Sequence, residues 1–424
     1  MKKTIICILV VLLACFAAFA DTIDKVEYPE LEKEFAFQPS MARYDAMGAS
    51  GLASPTKLDS FYANPANLAI KRGFGLAVPS FSMTVYNIQK LVADPEAMEI
   101  VNKIADKTAS DEDKINLATK YLGNLGSGRN AIAKIDLGLG LQLGSFGLGT
   151  NVQIKLHTIN KGASIASLNI IPEVNVAQTI ALGLKVIDTN AISLSLGASV
   201  HGVYKAYFKA IGGNTAINFI NHSDQIKETL LWDTPVMGGW ALPFDAGVTV
   251  GFANDSFLLS ATANNLNGVY HMSSFAGAGY LVNSFSAGAI PDQPEENPGE
   301  SVRFDVRTPW ELNFGFAFAP DWNLIRPAFT ADLVDMLDMI QNFDKDTFRA
   351  EDLLLHLNLG AELELLKFIT ARVGVNRGYM SVGASVNLLI ARVDLAYGWQ
   401  EFGVELGDKP VDSFTIKFTL GYDK

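Results

Sequence analysis

The sequence has almost no cysteine, no second long apolar run and little positive charge. Cys7 and Cys15 are its only cysteines, both within the first 20 residues. Without those residues the chain has no thiol, which excludes a disulfide framework and thiolate metal sites. After residue 17 no apolar run reaches the roughly 18 residues that mark a transmembrane helix. Lys and Arg number 33 against 45 Asp and Glu, a net charge of −12. A chain of that balance is poorly suited to a phosphate backbone, so no nucleic-acid partner is expected. Disorder is excluded as well, because 49% of residues are hydrophobic and only 18% are charged.

What is present begins with an export signal. Met1-Lys2-Lys3 is a basic start, residues 4–17 are almost wholly apolar, and Ala18-Phe19-Ala20 is an A-x-A cleavage site before Asp21. This predicts a signal peptide over residues 1–20, removed after Ala20. Leu12-Leu13-Ala14-Cys15 loosely fits a lipobox, the rival reading, although the apolar run continues past the cysteine through Phe16 and Phe19.

The remaining apolar residues alternate. In 135–143 Ile135, Leu137, Leu139, Leu141 and Leu143 oppose Asp136, Gly138, Gly140 and Gln142. In 191–209 Ile192, Leu194, Leu196, Val200, Tyr204 and Phe208 oppose serines, His201 and lysines, and in 310–318 Trp310, Leu312, Phe314, Phe316 and Phe318 oppose Glu311, Asn313 and Gly315. Period-2 alternation of this length predicts strands, with an apolar face for lipid and a polar face for a lumen. About fourteen strands follow: 74–87, 131–143, 146–159, 167–187, 190–209, 243–253, 256–264, 303–319, 325–333, 353–366, 368–376, 380–388, 390–400 and 413–422. Every second connection is tight, as at Gly144-Ser145, Asn254-Asp255 and Leu366-Lys367, while 88–130, 210–242 and 265–302 are long outer loops. The predicted fold is all-β: a transmembrane antiparallel barrel of residues 73–424, preceded by a small N-terminal hatch, or plug, at 21–72. The first outer loop is expected to be partly helical. Ser110 and Asp113 form a variant capping box, and Ile115, Ala118 and Leu122 share one face. That helix either packs on its own loop or serves as a lid.

Catalytic chemistry is missing. His157, His201, His222, His271 and His356 lack metal-ligand spacing. His157, His201 and His356 are expected to face a wet lumen, and Glu362 and Glu364 to be solvated lumenal carboxylates. Ser54-Pro55-Thr56-Lys57 fits S-x-x-K without the partner motifs of that enzyme class. His271-Met272-Ser273 falls in a predicted loop, and no Gly-x-Gly-x-x-Gly opens a helix. The expectation is a protein without enzymatic activity, cofactor or metal.

The hatch segment 46–69 reads AMGASGLASPTKLDSFYANPANLA. Ser54-Pro55 and Asn64-Pro65 each pair a side-chain cap with a proline at the first helical position, so each is expected to start a short helical turn. Gly48 and Gly51 supply permissive backbone before them. This stretch resembles the N-terminal signature of the FadL/TodX family of outer-membrane long-chain fatty-acid transporters, with Asn64-Pro65-Ala66 on its Asn-Pro-Ala and Leu68 close behind. GWALPFDAGVTVGF at 239–252 and GAELELLKFITARVGVNRGYMSVGASV at 360–386 resemble the family more loosely. They also suit a sister group of secretion-system barrels, and the chain looks most like divergent spirochaetal (treponemal) members. The resemblance implies a fourteen-stranded barrel with a hatch, a hydrophobic ligand such as a long-chain fatty acid, and sideways exit through the wall. Implied partners are outer-membrane lipids and the barrel-assembly machinery, around a monomer. Gly48, Gly51, Phe61, Tyr62, Asn64, Pro65, Ala66 and Leu68 are the candidate hatch and ligand residues. Pro172, inside LNIIPEVNVAQTI, is the candidate lateral opening because a strand-interior proline removes a ladder donor; Pro79 competes with it. A secretion-system barrel handling protein cargo and a general porin are the alternatives.

Overall fold

A computed structural model describes residues 36–162, 164–208, 211–213, 229–286, 302–320, 322, 324–341, 353–403 and 405–423. The predicted signal peptide, Cys7 and Cys15, His222 and residues 21–35 of the predicted hatch lie outside them.

One antiparallel sheet closes on itself. Its strands are β1 (Gly73–Tyr86), β2 (Gly128–Gly144), β3 (Phe146–Asn160), β4 (Leu168–Asp188) and β5 (Ile192–Phe208), which Ile211–Gly212 extends along β4. Three strands are bent into two pieces: β6 (Val236–Ala241 and Phe244–Phe252), β7 (Phe257–Leu266 and Val269–Phe275) and β8 (Arg303–Arg307 and Glu311–Phe318). Both pieces of β6 pair with β5, and both pieces of β7 pair with β6 and with β8, so each is one strand of the wall. β9 (Ile325–Leu333), β10 (Leu357–Leu365), β11 (Ile369–Asn376), β12 (Tyr379–Leu388), β13 (Ala391–Glu401) and β14 (Pro410–Asp423) complete a barrel of fourteen strands. β14 closes it against β1, from Gly75↔Asp423 to Tyr86↔Ser413. Closure leaves no edge, so every strand has a partner on both sides.

Two expectations need correction here. β6 starts at Val236 and β7 runs to Phe275, so the second and third long loops are shorter than 210–242 and 265–302. His271-Met272-Ser273 therefore lies in a strand, and His271 Nδ1 sits 2.9 Å from an Asp305 carboxylate oxygen across the ladder to β8. The cause is local: Leu242-Pro243 and Asn265–Gly268 have turn chemistry, yet here they bend strands that continue.

Outward faces carry an apolar belt: Leu137, Leu139, Ile180, Leu182, Leu196, Phe316, Phe329 and Val382 are all exposed. Among the described residues no helix is long and apolar enough to cross a membrane; the strands supply the lipid-facing surface, and this is a membrane-spanning barrel. Tight turns cluster at one end, together with the start of β1 and the end of β14. The long loops lie at the other end.

The first long loop holds three helices: α1 (Ile88–Val92), α2 (Pro95–Ala105) and α3 (Asp111–Asn124). The Ser110 capping box forms. Its hydroxyl accepts from Asp113 N at 3.1 Å, and its own N–H donates to the Asp113 carboxylate at 2.9 Å. Leu122 and Leu125 pack against Leu168 and Ile170, so α3 rests on the β4 rim. That favours a helix packed on the barrel over a free lid. The Ser110 N–H and hydroxyl hold the Asp113 carboxyl below the ordinary carboxylate range. A depressed carboxyl contributes stability above that range and loses it as pH falls through its folded value. The first-turn amides of α3 are therefore expected to exchange faster on acidification, with a weaker pH response in Ser110→Ala. Hydrogen exchange across 111–116 would check this, and an identical pH response in both proteins would count against the cap.

Candidate functional site: a hatch and a vestibule

Residues 36–72 fill the lumen toward the tight-turn end. Their helices are single turns: α4 (Ala42–Ala46), α5 (Ser60–Ala63) and α6 (Asn67–Ile70). (The later α7, Ala278–Ser286, and α8, Met336–Gln341, lie in outer loops.)

Asn64-Pro65-Ala66 sits at the centre of this plug. Asn64 is fully buried with extended backbone (φ −157°, ψ 102°). Its Oδ1 accepts from Ala66 N at 3.1 Å, and Asn67, Leu68 and Ala69 N–H then bond back to Asn64, Pro65 and Ala66 carbonyls. The expected turn does start here. Asn64 Nδ2 donates to Leu52 O and to Thr249 Oγ1 of β6, both at 3.0 Å. One side chain thus caps a turn, holds the neighbouring hatch turn at Leu52 and ties the plug to the wall. Ser54-Pro55 behaves differently: no helix starts there, and the Ser54 hydroxyl instead accepts from Arg43 Nη2 at 2.9 Å. The next helix starts at Ser60.

The wall is shaped to the hatch. Inward glycines stand where any Cβ would meet it. At Gly183 a Cβ would lie 2.6 Å from Ala69 N; at Gly197 it would run into the Pro65–Ala66 peptide, and at Gly374 into Met47 and Gly48. At Gly149 a Cβ would lie 2.6 Å from the Tyr62 hydroxyl. The converse holds at Gly48, whose φ is +67° and whose Cβ would lie 2.5 Å from the Val375 backbone. Gly51 (φ +131°) donates its N–H to Asp332 Oδ2 at 2.6 Å, and Leu52 N shares that oxygen at 3.0 Å. Phe61 and Leu68 pack with Ala181, Pro65 lies over Gly197, and Ala66 is fully buried.

Charge locks the other side. Arg43 donates through Nε and Nη2 to the two oxygens of Glu362, at 2.9 and 3.2 Å. Glu362 also receives Arg372 Nε at 2.6 Å, and Arg372 and Arg392 converge on Asp394. This corrects the reading of Glu362 as a solvated carboxylate: its side chain is 13% exposed and holds two guanidiniums. Glu364, with Arg326 at 3.5 Å, is the wetter of the pair. The sequence gives no hint of the Arg43–Glu362 contact, which joins residues 319 positions apart.

Above the hatch, toward the long loops, lies a vestibule of about 1300 Å³. Phe37, Met41, Tyr44, Leu52 and Tyr62 of the hatch form its floor, and Tyr86, Trp310, Tyr397, Trp399 and Phe402 its aromatic wall. His157, His201 and His356 do line it, although His157 and His201 are buried and engaged by Glu173 (3.5 Å) and Asp245 (2.9 Å). Lys134 and Lys155 are directly opposed on β2 and β3 and both line the vestibule. Lys155 is drawn toward Glu173 at 3.7 Å; Lys134 has no hydrogen bond or ion pair among the described residues.

The ladder is irregular at β1. That strand's pairings with β14 and with β2 both shift register between Ala77 and Ser80, around Val78-Pro79. At Pro172, by contrast, the β3–β4 ladder runs in register through Leu156↔Pro172, and pairing with β5 resumes at Glu173↔Tyr207. Pro172 interrupts the ladder on the β5 side, which pairs again at Ile170↔Ile211 and Asn169↔Gly212, without a break in the ladder to β3.

The fold and site define a plugged transmembrane β-barrel with a ligand-sized vestibule. No known family profile matches the chain, and no curated protein matches it. Several solved structures are similar. The CymD monoaromatic hydrocarbon channel shares 12% identity over 90% of this chain and 97% of its own, with a TM-score of 0.46. The P. putida toluene transporter TodX shares 10% over 91% and 99%, at 0.46. A Pseudomonas aeruginosa FadL homologue shares 10% over 90% and 98%, at 0.42. At these scores the likeness decides nothing beyond what the strand pairing already establishes.

Proposed function

We propose that this chain is an outer-membrane uptake barrel for long-chain fatty acids or similar hydrophobic molecules, which pass the hatch and leave sideways through the wall. Removal of a signal peptide after Ala20, insertion by the barrel-assembly machinery and a monomeric state belong to the same proposal. One observation carries it: the vestibule ends on a plug that the wall is shaped to hold. A general porin needs a continuous aqueous path, and this lumen is stoppered. A gated route that keeps an apolar ligand out of water suits the geometry better.

The fatty-acid reading is supported by Lys134. A carboxylate head between Lys134 and Lys155 would offset the repulsion of two like charges directly opposed across a ladder. The tail would lie on Phe37, Met41 and Tyr62. Full-length protein refolded in detergent is expected to bind palmitate saturably and hexadecanol more weakly. Lys134→Gln should weaken palmitate about tenfold, the size of one hydrogen bond to a charged group, and leave hexadecanol unchanged. Unsaturable partitioning of both ligands would sink the transport reading. The charged rim of Arg129, Arg307, Arg377, Glu311 and Glu401 is the observation that favours the second reading, a barrel presenting protein cargo.

A further inference from the structure

We propose that the tight-turn rim on the β10–β13 side lies inside the bilayer, so that the turns at 366–368 and 388–390 contact lipid acyl chains while the turns on the opposite side contact water. The inference depends on the membrane-spanning barrel and not on the transport reading above.

The rim has two unlike halves. Around β2–β7 its turns are polar: Gly144-Ser145, Thr189-Asn190 and Asn254-Asp255. The last two are joined by Lys185, which pairs with Asp188 at 2.8 Å and Asp255 at 3.0 Å. Around β10–β13 the turns are apolar. Leu366 is 70% exposed, Leu389 82% and Ile390 70%, with exposed Phe368 and Leu388 beside them. Lys367 is the one charged residue in 366–368, and 388–390 has none. A lysine there can bury its stem and still reach the headgroups. The preceding turn carries exposed Leu324 and Trp322 but also Asp321 in its sequence, and it marks the margin of the patch. Backbone conformation makes the contrast sharper. Asn254 and Asp255 have φ of 57° and 60°, and Leu366 and Lys367 have 52° and 60°. That left-handed region suits Asn and Asp and penalises a bulky side chain. Turn geometry alone would therefore place Asn or Gly at 366, and the apolar side chain there answers to its surroundings.

Strand length says what those surroundings are. β10 has 9 residues and β11 has 8, against 15 in β3 and 21 in β4. With a rise of about 3.4 Å per residue and a tilt of about 40°, eight or nine residues climb about 21–23 Å, short of the roughly 25 Å apolar band of a membrane barrel. The outer end offers no extension, because polar Asn376 and Arg377 close β11 onto Tyr379 of β12. At the other end the band continues without a gap, from lipid-facing Leu363, Leu365 and Ile369 onto Leu366 and Phe368. Backbone polar groups in hydrocarbon must find partners within the protein, and these turns are laced to their neighbours. Leu366 N donates to Leu324 O at 3.0 Å, Asn387 N to Phe368 O at 2.8 Å, and Gly421 N to Ile390 O at 2.8 Å.

The test puts one spin label at a time on the full chain, with Cys7→Ser and Cys15→Ser to remove the native thiols, and reconstitutes it in liposomes. Leu366→Cys and Leu389→Cys probe the apolar half of the rim, and Asn254→Cys the polar half. All three sites are exposed, so the labels leave the wall undisturbed, and the mobility of the folded barrel on gels checks this. Collisions with oxygen, which concentrates in lipid, are compared with collisions with a water-soluble nickel chelate. Labels at 366 and 389 are expected to meet oxygen more than nickel, with the order reversed at 254. In bilayers of shorter acyl chains the label at 389 should shift toward nickel, because the short strands then span the band unaided. If 389 meets nickel as freely as 254 in bilayers of every thickness, the turn stands in water and the proposal fails. Protection of 389 from both reagents overturns it as well, and label–label broadening that grows with the protein-to-lipid ratio would then place a second copy of this chain on the patch.

Discussion

Replacing Glu362 by Gln is expected to release the hatch from a barrel that stays closed. Glu362 is the only carboxylate that Arg43 contacts among the described residues, and it also receives Arg372. Gln in its place leaves buried Arg43 facing a neutral acceptor, while Arg372 keeps Asp394. Breaking a buried pair in this way costs about 3–5 kcal/mol, mostly as the penalty of an uncompensated charge. The cost falls on the hatch because the β10 ladders are made by backbone, which the substitution leaves alone. Amides 41–54 are therefore expected to exchange about a hundredfold faster, and the hatch to become protease-sensitive, with little change in barrel melting. Arg43→Met should be milder, since Glu362 keeps Arg372 when the hatch cation is removed. Protection of 41–54 that is unchanged in Glu362→Gln would show that glycine packing and the Asp332 and Asn64 contacts hold the plug unaided.

Much of this architecture was legible because its signals are local. Period-2 alternation and tight turns at Gly144-Ser145 or Asn254-Asp255 are written within a few residues, and they yield fourteen strands and their order. Where sequence reasoning cut strands short, at Leu242-Pro243 and Asn265–Gly268, turn-forming residues bend a strand without ending it. Local chemistry cannot distinguish the two, because the difference lies in whether the neighbouring strand continues beside it. Asn64 was legible as a cap, although its bond to Thr249 was not. The Arg43–Glu362 lock was invisible for the same reason: its partners meet only when the barrel closes. One inward glycine, Gly140, whose Cβ would meet Leu58 of the hatch, was in plain view as part of the polar face. Its use as space for the plug could have been suspected from one thing, that glycine is a poor choice for a strand unless something approaches it closely.

That last point gives the prediction with the sharpest contrast. Gly197→Val is expected to stabilise the barrel and expel the hatch from its seat. As a strand residue Val is better than Gly, in packing and in backbone entropy. As a neighbour of the hatch it is impossible without movement, because its Cβ would occupy the Pro65–Ala66 peptide, which is backbone and cannot swing aside. Overpacking of this kind costs about 1–3 kcal/mol where side chains can yield, and more where they cannot. The two effects land on different parts of the molecule, so they separate by measurement. Barrel melting should hold or rise, residues 41–70 should lose exchange protection, and planar-bilayer recordings should show an open conductance absent from the wild type. Gly202→Val is the control: it sits on the same strand, and a Cβ there meets nothing closer than 3.8 Å. It should gain barrel stability with the hatch undisturbed. If Gly197→Val keeps a closed lumen and a protected hatch, the plug is more yielding than its seat.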